Sequence, residues 1–276
     1  MAAIALALGA SVLWGVGDFL GGIGARRLAT LAVVAISQVA GLAAVVVVAV
    51  AAGGEFLGAE ALAAAAGAGI AGAIGLAALY RGMAVGAIGV VAPISASAAV
   101  VPVVVGLARG ERPATLQIVG IAVALVGVFF VAREPEAVRG LSAGVPLALL
   151  AAAGFGSYFV FIDRASADDA YWAVLAARAA SSTLALTLAG ARGVLRVPRS
   201  ALPMLIAIGL FDVGANLLLA LALNKGFVSV VSVLASLYPV ATVLLAIAVL
   251  HERPSRSQAL GGAGALAGVA LISAAA

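Results

Sequence analysis

Apolar runs of roughly 20 residues follow one another along the whole chain, each long enough to cross the roughly 30 Å hydrocarbon layer as a helix. Short polar turns separate them. The pattern predicts ten spans, at 3–24, 30–52, 62–84, 87–108, 115–132, 142–163, 170–190, 200–223, 228–250 and 257–275. The runs are continuously apolar and rich in Ala, Leu and Val, so they lack the alternation of a membrane β-barrel. Nearly all charges fall in the turns: Arg26-Arg27, Glu55, Arg109 to Arg112, Arg133 to Arg139, Asp163-Arg164 with Asp168-Asp169, Arg192 to Arg199, and His251-Glu252-Arg253. No turn is long enough to fold as a separate domain. The expected fold class is an all-α membrane protein of ten transmembrane helices.

An internal repeat sets the expected architecture. Gly110-Glu111-Arg112-Pro113 recurs 141 positions later as His251-Glu252-Arg253-Pro254, and a Gly-rich apolar helix follows each copy. Gly86-Ala87-Ile88-Gly89-Val90-Val91 aligns with Gly226-Phe227-Val228-Ser229-Val230-Val231, and Leu13-Trp14-Gly15 with Gly154-Phe155-Gly156. The repeats divide the chain at 1–138 and 139–276. Five spans per repeat is an odd number, so the second copy enters the bilayer from the opposite side. Two inverted five-helix repeats are a recurrent transporter design, with the site near the bilayer centre.

Composition agrees. Of 276 residues 65% are hydrophobic and 9% charged, against roughly 25% charged in a soluble domain. The net charge of +4 comes from 14 arginines and one lysine, most beside turns. That is a membrane-side pattern, not a nucleic-acid patch. Met1 to Leu8 lacks the basic start of a signal peptide and is expected to belong to the first span. No cysteine is present, and with one histidine a zinc site would need carboxylates almost alone. There is no G-x-x-x-x-G-K-[ST] loop and no G-x-S-x-G elbow, so neither an ATP site nor a catalytic serine is expected. No cofactor and no metal are expected, and the protein is not read as an enzyme.

Ionisable residues inside a span are expensive and therefore candidates for function. Asp212 lies mid-span with Asn216 one turn later on the same face. They are read as substrate hydrogen-bonding or proton-binding groups, against a structural pairing with an arginine or serine of a neighbouring helix. Asp18 shares a stripe with Ser11, Trp14 and Gly15; Trp14 offers a flat wall and Asp18 a charge, unless Asp18 pairs with an arginine near the span's end. Ser229, Ser232 and Ser236 form a stripe that suits a hydrated cavity or close packing equally, and Ser95 in the repeat-related fourth span has the same two readings. Tyr80 and Tyr158 complete the candidate cavity set, with the interfacial belt as the other reading of Tyr158. Arg81 snorkels to the interface, binds an anionic group or pairs with Asp18, and Trp172 is expected in the interfacial belt. Arg178 is expected to be structural, paired with an acid such as Asp212. Glu111 and Glu252 are expected to favour the N-termini of the helices beginning at Pro113 and Pro254, with a gating role as the alternative. Gly264 and Gly268, with Gly120 and Gly127 in the fifth span, are expected to pack the halves together rather than a dimer.

The segments Gly209-Leu210-Phe211-Asp212-Val213-Gly214-Ala215-Asn216, Asn224-Lys225-Gly226, Ser236-Leu237-Tyr238-Pro239 and Leu250-His251-Glu252-Arg253 resemble EamA-type transporters of the drug/metabolite transporter superfamily. Trp14-Gly15, Val91-Ala92-Pro93-Ile94-Ser95 and Gly110-Glu111-Arg112 look like the same pattern in the first half. The resemblance covers essentially the full chain. It departs at Ala98-Ala99 and Pro102, where the family usually has Leu-x-Pro. It implies a cavity between the first, third, fourth, sixth, eighth and ninth helices, with the fifth and tenth at the periphery.

The resulting expectation is a secondary transporter of a small metabolite, such as an amino acid or a nucleotide-like or drug-like molecule. It would work by alternating access, with export favoured on family grounds. Its candidate substrate-binding residues are Trp14, Asp18, Tyr80, Ser95, Tyr158, Asp212, Asn216 and Ser236. Expected partners are the substrate, the lipid bilayer of a bacterial inner or plasma membrane, and a coupling proton on Asp212 or Asp18; the chain is expected to be a monomer or homodimer. A non-transporting scaffold and an intramembrane enzyme built on Asp18 and Asp212 are the alternatives. Turns after odd-numbered spans carry nine arginines and those after even-numbered spans four basic residues. The positive-inside rule therefore places both termini outside, whereas the resemblance places them inside.

Overall fold

The computed structural model describes residues 1–54, 56–85, 91, 94–131, 141–250 and 256–275, and every regular element among them is helical. Helices α1 (Ala2–Arg27), α2 (Thr30–Ala52) and α3 (Ala59–Val85) lead to a 3-10 turn at Ser97–Ala99, α4 (Val100–Ala108) and α5 (Thr115–Val131). The second half holds α6 (Leu141–Ser166), α7 (Ala170–Ala191), α8 (Leu202–Leu223), α9 (Val228–Ala235), α10 (Tyr238–Leu250) and α11 (Arg256–Ala274). Six of these, α1 to α3 and α6 to α8, are long and apolar enough to cross a membrane, and shorter apolar stretches follow each set of three. Glu55, Gly86 to Val90, Ala92-Pro93, Arg133 to Arg139 and His251 to Ser255 lie outside the described residues.

The expected ninth span is not one helix: α9 stops at Ala235 and α10 begins at Tyr238. Pro239 has no N–H to offer the Ala235 carbonyl, so the helix cannot run through. The fourth span is interrupted in the same way by the 3-10 turn just ahead of Pro102, whose missing N–H frees the Ala98 carbonyl.

Helix contacts come in exchange-related couples. α1 packs on α8 as α6 packs on α3, α2 on α8 as α7 on α3, and α1 on α10 as α6 on α4; α4 meets α9, and α5 meets α11. Glycines make the crossings possible. Gly209 lies against the Ser37 carbonyl, and Gly69, 140 positions earlier, lies against the Ala177 carbonyl, 140 positions after Ser37. Gly15 lies against the Tyr238 carbonyl and Ala241, and Gly156 against the Ala98 carbonyl and Val101. A Cβ at any of the four would run into its neighbour. At the α5–α11 crossing a Cβ on Gly268 would come within 2.7 Å of the Gly120 carbonyl, so these small residues pack one half on the other within the chain. Large apolar side chains such as Val47, Phe129, Leu149 and Leu266 are exposed on the outside, where lipid tails are a suitable solvent.

Candidate functional site

Asp212 of α8 is the centre of a buried polar network. Its carboxylate accepts from Trp14 Nε1 at 3.1 Å, Gln38 Nε2 at 3.3 Å and Arg178 Nη1 at 2.6 Å, the last an ion pair. Arg178 Nη1 also donates to Gln38 Oε1 at 2.6 Å, and Ser181 Oγ donates to the same oxygen. One turn from Asp212, Asn216 Oδ1 accepts from the Tyr158 hydroxyl at 2.9 Å. Helices α1, α2, α6, α7 and α8 thus meet through side chains that would otherwise be costly to bury.

Asp18 sits one turn beyond Trp14 on α1 and is 6% exposed. The Tyr80 hydroxyl donates to its carboxylate. Gly21, on the same face of α1, leaves the room that the Tyr80 ring occupies. Asp18 feels the charge of Asp212, yet among the described residues no arginine or lysine lies within ion-pair distance of it.

These groups line one hollow of about 690 Å³ of non-atom space, mouth included. As it stands the hollow has room for a few waters. Trp14, Phe155, Tyr158, Phe159 and Tyr238 supply aromatic wall, and Gly69, Gly72 and Ala73 leave the space open along α3. Trp14 stands edge-on to Phe159 with ring centres 5.9 Å apart.

Of the residues singled out from sequence, Trp14, Asp18, Tyr158, Asp212 and Asn216 line this hollow. Tyr80 stands behind Asp18. Ser95 is fully buried, giving its hydroxyl to the Val91 carbonyl at 2.9 Å and meeting the Tyr238 hydroxyl at 3.2 Å, so it holds a wall residue from behind. Ser236 is buried outside the lining, and among the described residues the hydroxyls of Ser229, Ser232 and Ser236 have no hydrogen-bond partner. The Arg178–Asp212 pair is present as expected. Gln38, Ser181 and Tyr238 were missed as wall residues. Gln38 carried a signal, being the one amide in an otherwise apolar second span. The wall also includes the second and seventh spans, which the resemblance had left out. Arg81 is exposed and does not pair with Asp18, because its neighbour Tyr80 fills that place. Trp172 donates its Nε1 to the Gly53 carbonyl at 3.2 Å and packs on Phe56 at the end of the bundle.

Glu111 requires a correction. It serves not the helix after Pro113 but α9 in the other half, its carboxylate accepting from Val228 N at 2.8 Å and Ser229 N at 3.1 Å. The start of α5 is capped instead by Gln117, whose Oε1 accepts from Ala114 N. Beside Glu111, Arg109 pairs with Asp163 at 2.9 Å and Arg164 with Glu60. Both pairs join residues of the first half to residues of the second at the same end of the bundle. The Arg164–Glu60 pair is exposed and the Arg109–Asp163 pair partly so, and each is weak singly.

A membrane-crossing helical bundle that keeps ionised groups in a hollow between its helices is built as a small-molecule transporter is built. The EamA-like transporter family matches the chain over residues 1–133 and again over 142–274, and the chain belongs to that family. It is a multi-pass membrane protein. A solved structure described as "Crystal structure of protein" is similar over 98% of this chain and 95% of its own, with TM-score 0.77 and 18% identity, which supports the fold alone. A comparison with curated proteins finds no match. Among the described residues no group of acidic or histidine side chains could hold a metal ion.

Proposed function

We propose that the chain is a secondary transporter that moves a small metabolite through the central hollow by alternating access. The observation that carries this reading is Asp18: a buried carboxylate facing a half-open cavity, with a hydroxyl as its hydrogen-bond donor and, among the described residues, no cation within ion-pair distance. Such a group is expensive unless a positive charge comes and goes. The coupling proton therefore belongs on Asp18, since Asp212 already holds Arg178.

The bundle is read as ten spans in two inverted repeats, 1–138 and 139–276, with the substrate near the axis between them. The exchange-related helix contacts and the paired glycine crossings support this arrangement. Contacts of Glu111, Arg109 and Arg164 tie the halves together at one end, as an alternating-access carrier closed on that side requires. Trp14, Tyr158 and Asn216 contact the substrate, while Tyr80, Ser95 and Ser236 support the walls. We favour export, in a bacterial inner or plasma membrane, by a monomer or homodimer.

Purified protein in sealed vesicles tests the reading. A proton gradient drives uptake of at least one member of a broad metabolite panel, and Asp18→Asn abolishes it while leaving the melting temperature within a few degrees. A protein that moves nothing under any gradient is a scaffold.

A further inference from the structure

The cavity that carries the proposed transport reading also has an unbalanced charge inventory, and that imbalance names a substrate class. Its ionisable wall residues are Asp18, Arg178 and Asp212, apart from tyrosines. Arg178 and Asp212 neutralise each other through a direct ion pair, which leaves Asp18, a negative charge whenever its proton is off. A ligand that enters this low-dielectric hollow is selected by how it changes that sum. A monocation brings it to neutrality, a zwitterion leaves it negative, and an anion doubles the imbalance.

The wall chemistry agrees. Trp14, Phe155, Tyr158, Phe159 and Tyr238 surround the hollow with ring faces and edges. Aromatic faces attract an organic cation, Trp most strongly, and they cover a hydrocarbon body at the same time. Arg178 Nη2 is buried without a hydrogen-bond partner among the described residues, while Nη1 is held by Asp212 and Gln38. A donor left in this state calls for an acceptor on the ligand. With the guanidinium charge already matched by Asp212, a neutral oxygen satisfies it without restoring the negative excess.

We propose that the cavity selects a monovalent organic cation: an amine on an aromatic or branched alkyl body, with one neutral oxygen placed to accept from Arg178. In a conformation opened beyond the present few-water hollow, the ammonium sits at Asp18, the body against Trp14 and Tyr158, and the oxygen at Nη2.

Titration calorimetry on the detergent-purified full chain near neutral pH tests this with five probes of one size. Phenylalaninol and phenethylamine carry the cation, phenylalanine is zwitterionic, phenylacetate is anionic and 2-phenylethanol is neutral. The wild-type protein binds the two amines at least about tenfold more tightly than the other three, with phenylalaninol ahead of phenethylamine. In Asp18→Asn, phenethylamine falls to the level of 2-phenylethanol. Should that variant not fold, the wild-type ranking decides alone. Phenylalanine or phenylacetate binding as tightly as phenethylamine, or no probe binding at all, overturns the proposal. Amines that bind but never cross vesicles leave the ligand class standing and remove the transport reading. Flux of an acid or neutral metabolite with no amine binding does the reverse.

Discussion

Gln38 and Arg178 stand 140 positions apart and hydrogen-bond each other at 2.6 Å, a contact between equivalent positions of the two repeats. In the proposed inverted-repeat arrangement such a contact lies on the axis that exchanges the halves, and the polar network sits where the two units would turn about each other. The side chains have diverged for a physical reason. Two arginines there would repel, and two glutamines would leave Asp212 without a counter-charge.

The network makes Asp212 more than a ligand contact. Asp212→Asn leaves Arg178 buried with no acid, and the loss of one partner of a buried pair costs about 3–5 kcal/mol. The ion pair of 2.6 Å joins Asp212 to an arginine that is only 3% exposed. Unfolding in detergent should show a large drop for Asp212→Asn and recovery of most of it on adding Arg178→Gln. No loss in the single variant would mean the pair carries little.

The helix crossings predict where a methyl group is tolerated. Gly69→Ala and Gly209→Ala drive a Cβ into the Ala177 and Ser37 carbonyls, and overpacking of this sort costs about 1–3 kcal/mol. Gly262 in α11 has nothing near its missing Cβ, so Gly262→Ala is neutral or stabilising by up to about 1 kcal/mol. Melting temperatures of the three variants check the contrast. Equal losses at all three would contradict it.

Much of this was legible in the sequence because the bilayer suppresses polar residues wherever nothing requires them. Asp18, Trp14, Asp212 and Asn216 stood out against apolar spans for that reason, and they do line the hollow. Periodicity could not separate the cavity face of a helix from a face packed on protein, since both are small and apolar here. Tyr80, Ser95 and Ser236 accordingly came out behind the wall rather than in it. Gln38 and Tyr238 were hidden differently: Gln38 sits in the most apolar of the early spans, and Tyr238 reaches the cavity only because the helix breaks ahead of Pro239. The reach of Glu111 to α9 is a long-range contact, 117 positions away in sequence, and no local pattern encodes it.

That reach predicts a latch. Glu111→Ala removes the acceptor for two backbone N–H groups and costs about 0.5–2 kcal/mol, as loss of a helix cap does. The chain has no cysteine, so a single Ser232→Cys reports the region cleanly. Ser232 is fully buried beneath the cap and should react slowly with a water-soluble thiol reagent. The reaction should quicken several-fold when Glu111→Ala is added, and an unchanged rate would remove the latch.

Inversion of the halves is the claim on which the carrier reading rests. The turn after α2 and the turn after α7 are equivalent, each opening on a glycine in the left-handed region, Gly53 at φ 75° and Gly193 at φ 64°. Single cysteines at the exposed Phe56 and Leu195 mark these two turns. A membrane-impermeant thiol reagent applied to intact cells should label one of them and reach the other only after the membrane is opened. Labelling of both from the same side would mean that the repeats run the same way, and the carrier described here would not exist.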